Sequence, residues 1–274
     1  MSGVLYLVAT PIGNLDDITF RAINILKEVD LIAAEDNRQT LKLLNHFEIS
    51  KPLITYHRHN EEQVGPKIIE KLLEGKNIAI CTDAGTPGIS DPGETVTKLA
   101  IDNGIKVVPI PGACAVINAI VASGLDTKEF SFYAFLPLNK KLRRAKFEEM
   151  INDQKTVAFY EAPHRMKETL ADIFEVFGNR KCVVAKELTK IHETFYRGNI
   201  SEIIKEFNEI KEVKGEFIIL VEGKKIEKEN ELNSLSLEDH YNFYKNKGLE
   251  KKEIIKRIAK DRGVNKNEIY QHFI

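Results

Sequence analysis

The sequence predicts an α/β protein with two lobes and a small C-terminal helical segment. Short apolar runs alternate with helical periods through the first half of the 274-residue chain, a pattern typical of βαβ units around a parallel sheet. The second half has a different set of strands, and several of its connections are too short for parallel crossovers, which indicates a mixed sheet. A polar stretch at 223–234 then precedes residues with amphipathic helical periods.

Residues 1–124 are assigned to an N-terminal α/β domain. Ile18–Val29 and Val64–Leu73 place their apolar residues on one helical face, and the small-residue stretch Ala113–Gly124 is predicted to be a helix. Five runs rich in Val, Ile, Leu or Ala alternate little, as expected for strands that are buried on both faces. These predicted strands are Val4–Thr10, Asp30–Glu35, Pro52–Tyr56, Asn77–Asp83 and Lys106–Pro111.

Residues 125–223 are assigned to a second α/β domain, with a helix over His164–Phe177. Its predicted strands are Phe130–Leu136, Thr156–Tyr160, Cys182–Leu188, Glu193–Arg197 and Glu216–Val221. Gly223–Ser234 is interpreted as a linker, and 235–274 as a helical tail with the rhythm of a helix-turn-helix. In that tail Glu250–Arg262 is amphipathic, and Asn265 resembles the N-cap of a last short helix.

Composition limits the classes of function. The formal net charge is −1, so nucleic-acid binding would depend on local basic patches. The three cysteines have neither metal-ligand spacing nor a disulfide pattern, which favours buried free thiols. The N-terminus lacks the features of a signal peptide, and no apolar run approaches the roughly 20 residues of a membrane span. We expect a soluble, cytoplasmic protein without a membrane partner.

Three loops at predicted strand ends are the candidates for binding a ligand. TPIGNLDD at 10–17 follows the first strand, TDAGTPGISDPG at 82–93 follows the fourth, and PGACA at 111–115 opens the small-residue helix. Ligands of α/β folds bind at the carboxyl ends of strands, and glycines allow the backbone to approach them closely. Asp91 in the second loop resembles an N-cap, with Pro92 at the first helical position. No dinucleotide or P-loop motif is present.

The chain resembles the tetrapyrrole methylase superfamily and, within it, the bacterial family of ribosomal RNA small subunit methyltransferase I. The resemblance covers Leu5 to about Glu222 and is weaker in the tail. It depends on eight stretches in order: VATPIGNLDDITFRA, AAEDNR, YHRHNE, TDAGTPGISDPG, PGACAVINAIVASGL, FYEAPHR, KELTKIHE and KGEF. The resemblance implies two α/β lobes with a cofactor cleft between them, S-adenosylmethionine as cofactor, a homodimer, and 2′-O-methylation of a cytidine ribose in 16S rRNA.

The same resemblance implies which residues contact the cofactor. From the first lobe these are Pro11, Asp83, Ala84, Gly85, Thr86, Gly112, Ala113 and Cys114. Tyr160 of the second lobe is expected to close over the methionine part, together with the strand near Lys186.

A ribose hydroxyl is a poor nucleophile, so the reaction needs a base or a cation beside the developing alkoxide. The charged residues that follow two strand ends of the second lobe are the candidates. We predict Glu187 as the base or an orienting group, with Lys186 or Arg165 near the alkoxide and Glu161 as a further catalytic candidate. The alternative is that these charges form a structural ion-pair network.

Two basic segments are candidates for contact with 16S rRNA or the assembled small subunit. One is the run Lys140–Lys146, although such a run is more often a solvated helix face than a phosphate-binding one. The other is the tail, where 238–274 has nine Lys/Arg against six Asp/Glu and is predicted either to hold RNA or to pack in a dimer. His57 and His59 suggest a substrate-facing rim rather than a metal site.

Two other functions remain open at this point. One is methylation of a tetrapyrrole precursor by a member of the same superfamily. The other is a non-catalytic nucleic-acid-binding regulator that uses the tail. The YHRHNE cluster and the basic tail favour RNA over a tetrapyrrole, and the glycine-rich loops disfavour a regulator.

Overall fold

Two five-stranded sheets organise the chain. The computed structural model describes residues 1–225 and 231–273, which contain ten strands and eleven α-helices. The strands are Val4–Val8 (β1), Leu31–Ala34 (β2), Leu53–Thr55 (β3), Ile78–Cys81 (β4), Lys106–Ile110 (β5), Phe130–Phe135 (β6), Thr156–Glu161 (β7), Lys181–Lys186 (β8), Thr194–Asn199 (β9) and Phe217–Val221 (β10). The helices are Phe20–Glu28 (α1), Asn37–His46 (α2), Glu61–Leu73 (α3), Glu94–Asp102 (α4), Ala115–Val121 (α5), Lys140–Met150 (α6), Met166–Phe177 (α7), Ile200–Glu209 (α8), Leu237–Asn246 (α9), Lys251–Arg262 (α10) and Lys266–His272 (α11).

The first sheet is parallel throughout, in the order β3-β2-β4-β1-β5. Its central strands β2 and β4 are almost completely buried, which explains their lack of polar alternation. Apolar clusters cover both faces, one around Ile68 and Ile78 and the other around Leu26 and Ile32. Because the strands are parallel, the carboxyl ends of all five lie along one edge of this sheet, where α/β folds bind ligands.

The second sheet is mixed, in the order β6-β7-β10-β8-β9. β6 pairs with β7 in parallel, and the other neighbours are antiparallel. One face packs on α6, α7 and α8 around Phe147, Phe159 and Phe207. The other face carries Ala158, Ala185 and Ile218, which pack with residues of α5 from the first lobe. The predicted α/β class with a mixed second sheet is confirmed.

Met1–Gly223 packs as one unit, and Lys224–Ile274 packs as a second. The second unit is helical, with a core of Tyr244, Ile254, Ile258 and Ile269. Part of the predicted linker, residues 226–230, lies outside the described residues. Within 1–225 and 231–273, no helix has the length and apolarity needed to span a membrane.

Helix α4 begins later than predicted, so the assignment of Asp91 as its N-cap is wrong. The helix starts at Glu94 after Gly93, whose φ of 143° is strongly disfavoured for residues with a side chain. A Cβ on Gly93 would lie 3.0 Å from the backbone nitrogen of Gly88, which itself donates to Pro92 O. Because the loop closes back on Gly88, Asp91 lies outside the helix and does not cap it.

The basic run of α6 does not match the interpretation as a phosphate-binding segment at Arg143. Arg143 is buried and pairs with Asp172 and Glu168 of α7. Arg144 pairs with Glu175 of the same helix. The run therefore joins α6 to α7, and Arg143 in particular is not available to a phosphate.

Candidate functional site

A cavity of about 380 Å³ lies between the carboxyl edge of the first sheet and the second sheet. Residues of the first lobe that line it are Ile12, Ala84, Gly85, Thr86, Ile89, Ser90, Asp91, Cys114 and Ala115. Those of the second lobe are Phe135, Tyr160, Glu161, Ala162, Pro163, Ala185, Leu188, Gly215, Glu216, Phe217 and Ile218. The volume is within the range of roughly 300–1,000 Å³ typical of sites for small molecules and cofactors.

The three loops singled out from the sequence meet at this cavity. Thr10 and Gly85 exchange two backbone hydrogen bonds, of 2.9 and 3.1 Å, which join the turn after β1 to the turn after β4. The hydroxyl of Thr86 donates to Ala113 O at 3.0 Å and so joins the turn after β4 to the one after β5. The backbone conformation of all three loops is therefore fixed by contacts among them.

Gly85 is required at the centre of this arrangement. Its φ of +84° is in the left-handed region, and an added Cβ would lie 3.3 Å from Ile12 Cγ2. The same position faces the cavity. A glycine here allows a ligand to approach the backbone of the turn closely.

Ser90 stands in an unusual conformation in the same turn. Its φ is +67°, although it is not a glycine, and its buried Oγ has no hydrogen-bond partner among the described residues. The guanidinium of Arg58 donates to Ser90 O and supports the loop from outside. Strained residues and unsatisfied polar atoms of this kind cluster at functional sites.

Tyr160 forms the aromatic wall contributed by the second sheet. Its ring packs against Phe132 at 5.0 Å and Phe135 at 5.4 Å between centroids. Burial raises the pKa of Tyr160, and the negative charge of Asp91 adds to that rise. Phe135 remains 59% exposed, so the wall continues as an apolar surface from the cavity toward solvent.

Five of the nine residues predicted to contact the cofactor line the cavity. They are Ala84, Gly85, Thr86, Cys114 and Tyr160. The other four are Pro11, Asp83, Gly112 and Ala113, which lie in the same loops but outside the cavity walls.

Two of those four have contacts elsewhere that explain their residue type. Asp83 accepts a hydrogen bond from the backbone nitrogen of Asp36 at 3.1 Å, so its carboxylate holds the neighbouring turn after β2. Gly112 packs on the first sheet, since a Cβ there would lie 2.9 Å from Ala9 Cβ.

Of the four predicted catalytic residues, Glu161 lines the cavity, but its carboxylate is already bonded. Its Oε2 accepts a 2.6 Å hydrogen bond from Thr169, and its Oε1 accepts one from Ala162 N at 2.8 Å. Oε1 also lies 3.3 Å from Arg165 Nε. Arg165 is buried and donates to Leu136 O and Pro137 O. The pair fits the structural alternative stated from the sequence.

Glu187 and Lys186 lie outside the cavity walls. Glu187 Oε1 binds Lys190 Nζ at 3.0 Å and accepts from Glu216 N at 2.8 Å. These contacts lower the pKa of Glu187 although burial opposes them, and an acid with a lowered pKa is a weak base. Lys186 follows Ala185 on β8, and because Ala185 faces the cavity, Lys186 points to the opposite face of the sheet.

Other cavity residues were not among the predicted site residues. Ile89, Ser90 and Asp91 lie in the quoted TDAGTPGISDPG motif, so the signal for them was present. Gly215 belongs to the quoted KGEF stretch, and its φ of +110° places the turn before β10 against the cavity. Phe135 had no comparable signal, since an aromatic residue at a strand end is usual in a core.

S-adenosylmethionine, the cofactor implied by the resemblance, fits the groups in the walls. Apolar side chains predominate, the glycine turn leaves backbone accessible, and the Ser90 hydroxyl supplies a polar group. Among the described residues, no group of three or more metal-ligating side chains comes together. His57 instead belongs to a turn in which its backbone nitrogen donates to Asn60 Oδ1 at 2.8 Å.

Comparisons with known proteins agree with this geometry. The family model of Tetrapyrrole (Corrin/Porphyrin) Methylases matches residues 4–204. Ribosomal RNA small subunit methyltransferase I of Halalkalibacterium halodurans is 51% identical over 271 residues, which cover 98% of this chain and 93% of that protein. The Bacillus subtilis protein of the same name is 50% identical over 275 residues, or 99% and 94% of the two chains.

The solved structure of a diphthine synthase has the same fold, with a TM-score of 0.62 at 15% identity over 81% of this chain and 91% of that one. The identities to the first two relatives extend through the tail, beyond the residues that the family model matches. The chain therefore belongs to the ribosomal RNA small subunit methyltransferase I family of the tetrapyrrole methylases.

Proposed function

We propose that this chain transfers a methyl group from S-adenosylmethionine to the 2′-hydroxyl of a cytidine ribose in 16S rRNA. The observation that carries the proposal is the cavity built from the three family loops, in a chain about half identical to relatives named for ribosomal RNA methylation. S-adenosylmethionine supplies a methyl group that its positively charged sulfur has already activated. The protein is then required to position the acceptor and to remove its proton.

The turn 84–86 and Cys114 would hold the cofactor from the first lobe, with Tyr160 opposite. Gly85 leaves its backbone accessible, and most of the other wall residues are small or apolar. Exclusion of water by the bound cofactor and RNA would strengthen the electrostatic interactions that stabilise the transferring group. Pro11, Asp83, Gly112 and Ala113 would support these loops from behind.

The exposed face of α10 is the proposed contact for RNA. Ile254, Ile255, Ile258 and Ala259 are buried in the C-terminal unit. The opposite face carries exposed Lys251, Lys252, Lys256, Arg257 and Lys260. Clustered cations of this kind bind phosphates without reading sequence. In contrast, the basic side chains of α6 are largely paired with carboxylates.

Cofactor binding and the site of methylation test the enzymatic proposal. Calorimetry of the full chain with S-adenosylmethionine should give saturable binding. Mass mapping of 16S rRNA from a strain that lacks this protein should show one cytidine without its ribose methyl group. The full chain should restore that methyl group when it is expressed from a plasmid. Absence of cofactor binding, or an unchanged methylation pattern in the deletion strain, would contradict the proposal.

Charge reversal tests the RNA surface. We expect the triple change K252E/K256E/K260E to weaken binding of small-subunit rRNA and to lower the slope of log K against log salt by about 2 to 3. K67E/K98E/K205E is the matched control, because it changes the net charge equally at exposed lysines of other helices. Equal RNA affinities of the two variants would remove α10 as the contact.

A tetrapyrrole precursor is disfavoured as the acceptor, since the relatives that match the whole chain carry a ribosomal RNA name. We further propose the assembled small subunit or its RNA as the partner, a homodimer as the working form, and a cytoplasmic location. We also propose domain boundaries at residues 124 and 223, because residues 1–124 and 125–223 each contain one sheet.

A further inference from the structure

Asp91 is a carboxylate in the cavity wall that the fold itself does not use. It lies in the loop before α4 and is half-buried. Helix α4 begins at Glu94 without a capping bond from Asp91. Among the described residues, no hydrogen bond and no ion pair within 4 Å involves its carboxylate, and the positive charge of Arg58 acts on it only over a longer distance.

The other two carboxylates of the walls have partners. Glu161 is 2% exposed and is held by Thr169, Ala162 and Arg165. Glu216 is 75% exposed at its side chain and lies 3.1 Å from Lys190 Nζ. A carboxylate that accepts strong hydrogen bonds is a weak base, whereas an unpartnered one retains its lone pairs for a substrate.

Charged groups around Asp91 favour proton uptake. Glu35 and Asp83 lie on the turns after β2 and β4, and Arg58 lies on the turn after β3. The pKa of Asp91 is raised to about 6, mainly by burial and then by the negative charge of Glu35, with a smaller contribution from Asp83, while the positive charge of Arg58 opposes the rise. Tyr160 faces Asp91 from the second sheet. A base with a pKa just below the working pH is deprotonated and still a good proton acceptor.

Resting on the function proposed above, we propose that Asp91 is the general base of the methyl transfer. Its carboxylate accepts the proton of the ribose 2′-hydroxyl while an electron pair of that oxygen forms the new bond to the methyl carbon. The carbon–sulfur bond breaks, its electrons remain on sulfur, and the donor leaves as a neutral thioether. The proton then passes from Asp91 to water.

The variant Asp91→Asn tests this role, because it keeps the size of the side chain and removes the basic oxygen. We expect single-turnover methyl transfer to small-subunit rRNA at pH 8 to fall by about 10² to 10⁴-fold. Calorimetric affinity for S-adenosylmethionine should stay within about threefold, since a base for the acceptor is not needed to hold the donor. Asp102→Asn makes the same chemical change at the exposed end of α4 and serves as the control.

The pH profile separates a base from a structural carboxylate. The wild-type rate should rise with pH up to about 6, where Asp91 loses its proton, and then level off. The residual rate of Asp91→Asn should lack this rise, and Asp91→Glu should recover part of the rate together with the rise.

Asp91→Asn with a rate within threefold of wild type would overturn the proposal, as would a loss explained by weaker cofactor binding. A wild-type chain that binds the cofactor but methylates no RNA would overturn the proposed function itself, and the base with it. The inference alone fails if the wild type is active and the asparagine variant is equally active.

Discussion

Replacement of Arg143 tests whether the basic run of α6 holds the fold or contacts RNA. The guanidinium Nη2 lies 2.6 Å from Asp172 Oδ2 and 2.8 Å from Glu168 Oε1, and Nε donates to Asp172 at 3.0 Å. The side chains of Arg143 and Asp172 are each 1% exposed. Arg143→Met would therefore leave the Asp172 carboxylate buried, with only Lys140 Nζ at 3.6 Å.

Breaking a buried pair on one side costs about 3 to 5 kcal/mol, because the remaining charge is desolvated without compensation. Since Lys140 keeps part of that compensation, we expect the free energy of unfolding to fall by about 3 kcal/mol. The neighbouring pair of Arg144 and Glu175 is 38% and 50% exposed. Arg144→Met should therefore cost less than about 1 kcal/mol.

Urea denaturation followed by far-ultraviolet circular dichroism measures both variants against the wild type. The double variant R143M/D172L should recover much of the loss, since an apolar pair of similar volume avoids the unpaired charge. If Arg143→Met unfolds within about 1 kcal/mol of the wild type while its RNA affinity falls, the structural assignment of Arg143 would be refuted and the phosphate-binding one restored.

Three further changes probe the cavity turn and the C-terminal unit. Gly85→Ala should lower the free energy of unfolding by about 1 to 2 kcal/mol through its left-handed φ of +84° and should also weaken S-adenosylmethionine binding in calorimetry. Gly104→Ala is the control, because Gly104 also has a positive φ, of +68°, but lies away from the cavity. It should lower stability by a similar amount without changing the affinity for S-adenosylmethionine. Equal affinities of the two variants would contradict the role of Gly85. Tyr244→Phe removes a 2.6 Å hydrogen bond to Asp261 and should destabilise the helical tail by about 1 kcal/mol. Thermal melts measure this change. An unchanged melting temperature would show that the bond does not stabilise the tail. Burial lowers the pKa of His240 below 6.5, so the unfolded chain takes up the proton more readily than the folded one. The tail should therefore lose stability as pH falls through about 6.5. Urea midpoints at pH 5 and 7.5 test this, and equal midpoints would disprove it.

Much of the fold could be predicted from the sequence because its signals are local. The buried strands β2 and β4 are uninterrupted apolar runs, and each was expected within one or two residues of its observed bounds. The small-residue helix α5 is shorter than predicted, at Ala115–Val121 instead of Ala113–Gly124. The helix begins two residues later than predicted because Cys114 has an extended backbone conformation, with φ −144° and ψ 112°. The preceding carbonyl, Ala113 O, accepts the hydroxyl of Thr86, 27 positions earlier in the chain.

The candidate site was predictable at the level of loops and much less so at the level of side chains. Glycine-rich turns after buried strands indicate a ligand edge in any parallel sheet, and these three meet at one cavity. Whether a given carboxylate is available depends on which donors the fold brings to it. The carboxylate of Glu187 accepts from the backbone nitrogen of Glu216, 29 residues away, and no local pattern signals this contact. The carboxylate of Glu161 is held by Arg165 and Thr169, whose approach depends on how the chain turns from β7 into α7.

The case of Asp91 shows how a local rule can conceal a functional group. An aspartate directly before proline and three residues before glutamate has the appearance of a helix start, which would occupy its carboxylate with backbone donors. The tertiary fold overrides this, since Gly93 adopts a φ of 143° and Gly88 bonds Pro92 O, and the loop turns inward. Because the helix then starts without Asp91, its carboxylate lines the cavity and has no hydrogen-bond partner in the part of the chain that the structure describes. A half-buried carboxylate with free lone pairs can accept the hydrogen bond of a substrate hydroxyl at the point where the reaction needs a base.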